Sequence, residues 1–268
     1  YIWPMIILSL LTIFVNGLRV KLFGGYYNIN LKVNEWFGLS AITTMGNHLT
    51  PFRTGVAARA LYLKKVHKFP YTSFLTTMAA SYILRFFIYG LFGIVLSLII
   101  LRDYIFFNIL FSALVLITIF PFIVFLIFPI FKKTKNNFIN KIIKILNEWN
   151  VMRKNYRFLF KIVLLDISIL LIRAFRLFFA FKAFSFDVPF ILILLISVFS
   201  MLSVFISLTP AGLGIVEGIV AFSSEVVGIG FVGGVYASVL DRIIAVIIIF
   251  ILGPIFSYRL MRNSNFGL

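Results

Sequence analysis

The residues of this chain with the chemistry to bind or react are few, and most of them interrupt apolar runs. Arg85 sits near the centre of a hydrophobic stretch from Tyr71 to Leu101, Asp166, Arg173 and Arg176 fall in another from Phe158 to Phe184, and Asp241-Arg242 in a third from Phe231 to about Ile255. If such stretches cross a bilayer, an isolated charge at mid-depth costs about 2.5–3.5 kcal/mol on insertion scales, so each of these residues needs an interior partner or a polar ligand. Asp166 and Arg173 are seven apart and share a helix face, so they either pair or both line a polar cavity. Arg53 and Arg59 complete the set of arginines, each a planar, permanently charged fork suited to an oxyanion, with snorkelling to a membrane surface as the alternative for these two.

A second constellation runs from Ser207 to Gly218, where a proline, three glycines and Glu217 close the uncharged run Val188–Val216. Pro210 removes a backbone donor, and Gly212 and Gly214 permit left-handed dihedrals, so the chain can unwind there and restart a helix with free amino-terminal N–H groups. Broken helices at membrane depth persist where protein or a wet cavity surrounds them. A plain Pro/Gly turn between two surface-ending helices is the alternative, and close helix packing is the alternative for Gly214 and Gly218, four residues apart. The stretch Trp36–Ala60, with Asn47, His48, Pro51 and Arg53 in its middle, is too polar to face lipid and reads as a re-entrant hairpin or a helix buried in the bundle.

The elements that must hold these groups follow from composition: 62% of the 268 residues are hydrophobic, 12% are charged, and the mean hydropathy is +1.10. Soluble domains carry about 25% charged residues, so the composition specifies an all-α polytopic membrane protein. About six spanning helices are expected, with two short or broken segments in corresponding halves, the pattern of an inverted repeat with a site at its interface. The first span is Ile2–Val15 with Asn16 to Lys21 as its basic exit. Nine Lys or Arg against the single acid Glu148 between Lys132 and Lys161 place that loop in the cytoplasm, and counting two spans back puts Lys64, Lys65 and Lys68 on the same side. Within the loop (132–157), Phe138, Ile142, Ile145 and Trp149 recur at helical spacing, which fits an amphipathic helix on the inner leaflet or a linker helix packed on the bundle. The whole chain reads as a single integral membrane domain.

Several chemistries are excluded by what is missing. The chain has no cysteine, hence no disulfide framework and no thiolate. Two histidines, His48 and His67, make a zinc site improbable, and Gly212-x-Gly214 lacks the third glycine of a dinucleotide fingerprint because Glu217 stands there. No cofactor is expected. The formal charge of +17 gathers in segments between apolar runs, where it reports topology and contact with anionic lipid rather than nucleic acid.

Asn47 with Pro51-Phe52-Arg53-Thr54-Gly55 and Arg59, followed by Ser207 to Gly214 with Glu217 and the closing Asp241-Arg242, resembles the two hallmark motifs of the lysylphosphatidylglycerol synthase transmembrane family, the flippase-like domain proteins. The resemblance covers essentially the whole chain. It departs at Val56, where the family has an acid, and at Leu84, which precedes Arg85 where a glutamate is expected. It implies the lipid-translocating part alone, without a soluble synthase domain. The arginines would then take the phosphate of an anionic phospholipid or polyprenyl-linked headgroup, helped by Asn47, Thr209 and the Pro210–Gly214 backbone, while Glu217 balances an arginine, recognises a cationic headgroup or accepts a proton. A membrane-embedded lipid-modifying enzyme with Glu217 or Asp241 as base, and a non-catalytic subunit of a lipid or glycan assembly complex, are the alternatives. The expected setting is a prokaryotic cell membrane, and a second copy of the chain or a separate lipid-modifying enzyme are the protein partners that fit.

Overall fold

The computed structural model describes residues 1–100, 107–127, 130–132, 134–203 and 209–263. The Arg102–Asp103 turn, Lys133 of the basic loop and Ser207–Leu208 of the Pro/Gly motif lie outside these residues. Ten α-helices and no strand occur among the described residues: α1 (Ile2–Tyr26), α2 (Val33–Leu49), α3 (Thr54–His67), α4 (Tyr71–Ile100), α5 (Phe107–Ile127), α6 (Asn137–Met152), α7 (Tyr156–Ala183), α8 (Phe190–Leu202), α9 (Ile215–Val226) and α10 (Phe231–Asn263). Three of them, α1, α4 and the Phe231–Arg262 stretch of α10, are long and apolar enough to cross a membrane by length and composition. Their outer faces leave Phe14, Val95 and Ile247 half-exposed, which is where lipid chains, as apolar as these side chains, would lie.

At the centre, α1 and α7 run antiparallel. Tyr1 meets Phe179 at one end of the pair and Phe23 meets Phe158 at the other, with ring centroids 6.4 and 5.5 Å apart. Neighbours around this pair are reciprocal: α1 packs on α2 and α7 on α8, while α2 packs on α10 and α8 on α4. Two interrupted segments complete the pattern, α2 with α3 and α8 with α9.

The hairpin expected over Trp36–Ala60 takes shape as α2 and α3, longer at both ends. Thr50 is extended, Pro51 opens a single 3-10 turn through Arg53, and Arg53 is left-handed at φ 56°, which reverses the chain. The two arms touch at their glycines, since a Cβ on Gly46 would stand 2.7 Å from the Gly55 Cα. Their open ends are tied by Glu35, whose carboxylate accepts from the Lys32 N–H at 2.8 Å and the Tyr62 hydroxyl at 3.0 Å, with His67 Nε2 at 2.8 Å. These ties carry the arms to Val33 and His67.

Two helices run past their expected ends. α1 continues through Asn16 to Tyr26, so the anticipated basic exit is interior helix and Arg19 is buried within it. α10 continues through Pro254 to Asn263 instead of stopping near Ile255, because a proline inside an apolar bundle helix costs only one ladder bond that neighbours can offset. α6 divides the two readings of its face. Ile143, Trp149 and Met152 are buried against the bundle, whereas Phe138, Ile139 and Ile142 are exposed. Its anchor is Glu148, which accepts hydroxyl bonds from Tyr27, Ser73 and Thr76 at 3.0–3.1 Å.

Gly46→Ala should push the α2 and α3 arms apart at a backbone contact with no side chain to yield, at the cost of about 1–3 kcal/mol typical of overpacking. Gly25→Ala, whose Cβ would meet nothing within 4 Å, should leave stability unchanged or slightly raised. Thermal unfolding in detergent micelles compares the two.

Candidate functional site

Two buried carboxylates organise the interior, each held between two arginines. Asp166 on α7 has no solvent exposure; its Oδ1 accepts from Arg85 Nε of α4 at 3.1 Å and lies 2.8 Å from Arg19 Nη1 of α1. Arg19 also donates to the Ser81 carbonyl at 3.1 Å, and Arg85 to Asn16 Oδ1 at 3.4 Å. Asp241 on α10 is equally enclosed, with Arg176 Nε at 2.7 Å and Arg173 on its second oxygen. Arg173 reaches on to the Ser200 hydroxyl of α8 at 3.1 Å, and Arg176 to the Asp241 carbonyl at 3.2 Å. Arg173 and Arg176, three residues apart, project from one face of α7, so one carboxylate meets both.

A third carboxylate, Glu217, pairs with Arg242 at the second chain break. Pro210 opens a 3-10 turn to Gly212; Ala211 (φ 47°), Gly212 (φ 69°) and Gly214 (φ 81°) all take positive φ, and α9 restarts at Ile215. The expected unwinding is therefore present, but its first N–H is occupied: Gly214 N–H donates to Glu217 Oε2 at 2.8 Å. Thr209 is likewise used inside the loop, donating to the Leu213 carbonyl at 2.9 Å, and Arg242 donates to the Ala211 carbonyl at 3.3 Å. Both breaks begin Thr-Pro, Thr50-Pro51 and Thr209-Pro210, both form one 3-10 turn after an extended threonine, and the two turns touch.

Around these groups lie two adjoining polar lobes. The first, about 250 Å³, is lined by Arg19, Arg53, Arg59 and Arg85 with Asn16 and Asn47. The second, about 310 Å³, is lined by Arg53, Arg173, Arg176 and Arg242 with Glu217 and Asp241, and by His48, Thr209 and Gly212. Asn16, Thr44, Asn47 and Arg53 belong to both walls. Arg53 donates to the Tyr82 hydroxyl at 3.0 Å. Arg59 has no carboxylate at ion-pair distance among the described residues; its Nη2 lies 3.0 Å from Met78 Sδ and its guanidinium stacks over Phe74 at 5.4 Å. Both arginines are partly buried and line the first lobe. His48 Nδ1 lies 2.8 Å from the Thr44 carbonyl, a local bond within α2.

Most of the sequence-derived candidates thus meet in one interior, with several partners reassigned. Asp166 and Arg173 do not pair: seven residues along a helix is about 10.5 Å of rise, and each is met by a different helix. Arg85, for which no local acid is evident in the sequence, finds Asp166 from 81 positions away. Among the described residues a Cβ placed on Gly214 or Gly218 would meet no atom within 4 Å, so neither serves close packing against a described helix, and Val56, at the position of the missing family acid, lines the first lobe beside a local apolar cluster. Pro51 shapes the first turn rather than touching a lobe. Sequence reasoning missed Arg19 and Asn16; their three-residue spacing inside α1 was the available signal, hidden by their resemblance to a basic helix exit.

Asp166→Asn leaves the buried Arg19 and the partly buried Arg85 without their shared counter-charge, and breaking such a cluster costs about 3–5 kcal/mol. Glu217→Gln keeps an oxygen for the Gly214 N–H and lies nearer the lobe, so its cost should be smaller. Melting temperatures of the two variants in the same detergent should fall in that order.

A family model described as the lysylphosphatidylglycerol synthase TM region matches residues 1–253, and the chain belongs to that family. No curated protein and no solved structure matches it.

Proposed function

We propose that this member of the lysylphosphatidylglycerol synthase transmembrane family passes the headgroup of an anionic lipid between leaflets through its arginine-lined interior. The observation that carries the reading is a charge imbalance. Among the described residues six arginines, Arg19, Arg59, Arg85, Arg173, Arg176 and Arg242, line two adjoining lobes while three carboxylates, Asp166, Glu217 and Asp241, pair with them, an excess of three positive charges, and Arg53 lines both lobes. Positive charge buried without compensation is costly, and a phosphate-bearing headgroup supplies the counter-charge together with oxygens that guanidinium forks bind well. Asn47, Thr209 and the Pro210–Gly214 turn shape the walls. Each of the three carboxylates is engaged by arginine, which supports carriage over lipid modification, since no general base stands free among them.

The reciprocal packing supports an inverted repeat, with α1 to α4 in one half and α7 to α10 in the other. On that reading α1, α4, α5, α7 and α10 span the membrane and the two Thr-Pro hairpins re-enter from opposite sides, so the uncharged run from Val188, expected as a full span, and the short segment after it form the second hairpin. The positive-inside rule then sets α6 in the cytoplasm, its lysines against anionic headgroups. Two half-crossing hairpins that meet at mid-depth provide the fixed site about which access from each side can alternate.

Reconstitution with fluorescent phosphatidylglycerol and dithionite quenching tests the proposal. Wild-type vesicles should quench beyond half of the label. Arg59→Gln removes a cation with no carboxylate partner, so it should leave folding intact while slowing lipid movement by the equivalent of one charge-assisted bond, about 1.5–3 kcal/mol or at least tenfold. Wild-type traces matching empty liposomes, for phosphatidylglycerol and for a polyprenyl phosphate alike, would sink the reading.

A further inference from the structure

Beside the arginine lobes lies a cavity of opposite character. It measures about 300 Å³, sits between α5, α8 and α9, and is walled by apolar side chains such as Ile117, Leu195, Phe199, Ile219 and Phe222. It adjoins the second lobe at one residue and one peptide bond. Ser203 lines both, and Glu217, which faces the polar lobe, is followed by Gly218, which faces the apolar one. The Ser203 hydroxyl donates to the Ser200 carbonyl at 2.6 Å, so the junction keeps its own polar group occupied. Among the described residues a Cβ at Gly218 would meet nothing within 4 Å, so this glycine leaves the groove open on its side. Phe222, half-exposed at the rim, places the groove along the outer surface of the helices.

We propose that this groove takes a hydrocarbon tail of the anionic lipid whose headgroup occupies the second arginine lobe. The inference rests on the carriage reading above and adds a site to it. A lipid is apolar at one end and charged at the other, and a protein that lifts the charged end into a polar interior must leave the tail an apolar path contiguous with that interior; tail exposed to guanidinium groups would strip their hydrogen bonds. The α8–α9 groove provides such a path, meeting the lobe where Arg242 and Glu217 stand. Because the bilayer is as apolar as the groove, transfer of the tail gains little hydrophobic free energy. The groove therefore orients the lipid and selects for a tail, while affinity comes from the headgroup.

The test uses the full chain in liposomes with two phosphatidylglycerol probes, one carrying a photoactivatable diazirine on an acyl tail and one on the headgroup, with adducts mapped by mass spectrometry. Tail adducts are expected on α8 and α9 and headgroup adducts on segments bearing Arg53 and Arg242. Gly218→Leu, which fills the mouth at an open helical position, should lower tail adducts on α8 and α9 at least fivefold while headgroup adducts and the melting temperature hold. Headgroup labelling of the lobes with tail labelling elsewhere overturns the groove and leaves carriage standing, and so does tail labelling unchanged in Gly218→Leu. Labelling of the interior by neither probe overturns both. Should Gly218→Leu fail to fold, Gly218→Val and the wild-type tail map decide by the same outcomes.

Discussion

A carboxylate sealed from solvent and shared by two arginines is the interaction on which this structure depends. Asp166 draws one guanidinium from α1 and one from α4 onto α7, and Asp241 draws two from α7 onto α10, with Ser200 of α8 joined through Arg173. Helices surrounded by lipid gain nothing hydrophobic by meeting one another, so packing shape and polar contacts set their register. Buried ion clusters do this with little tolerance, because a partner displaced by one helical turn leaves a bare charge in a medium of low dielectric. The antiparallel α1–α7 pair is fixed in this way at mid-length, and the remaining helices are arranged around it.

The same constraint governs the two chain breaks. Unwound backbone inside a bundle exposes polar groups, and three of them are taken up locally: the Thr50 hydroxyl donates to the Gly46 carbonyl, Thr209 to the Leu213 carbonyl, and the Gly214 N–H to Glu217. At the second break the Gly214 N–H is consequently taken by an acidic side chain of the first turn of α9, a donor that the sequence could equally have left open for a ligand. The turn also positions guanidinium. Arg242 shows the link, bonded at once to Glu217 and to the Ala211 carbonyl of the turn.

Much of this was legible in the sequence where a local rule applied. The long apolar helices, the hairpin around Pro51 and the short helix after Pro210 follow from composition, hydropathy and the missing donor of proline. The arginines of the interior were legible because their cost in lipid forces them inward. Partnership was not. Asp166 and Arg85 lie 81 residues apart, and Arg173 with Asp241 68 apart, and no spacing rule reaches across separate helices. Arg19 was misread for the opposite reason: Asn16, Arg19 and Lys21 imitate the basic end of a span, and only the neighbouring Asp166 turns Arg19 into a core residue. The reciprocal packing of the halves left only the paired Thr-Pro breaks as its trace, since two arms can share a shape while filling it with different side chains.

The position of Arg53 ties these features together. It is the left-handed residue that reverses the first hairpin, it lies where the two turns touch, and it lines both lobes. Arg53 donates to the Tyr82 hydroxyl of α4, while Arg85 and Arg173 are held by buried carboxylates. On the carriage reading proposed above, an anion passing from lobe to lobe would keep Arg53 within reach on either side, so that its charge would not enter an uncompensated interior. The energetic demand that places Asp166 between two arginines and the demand that such a phosphate keep a cation beside it are the same one.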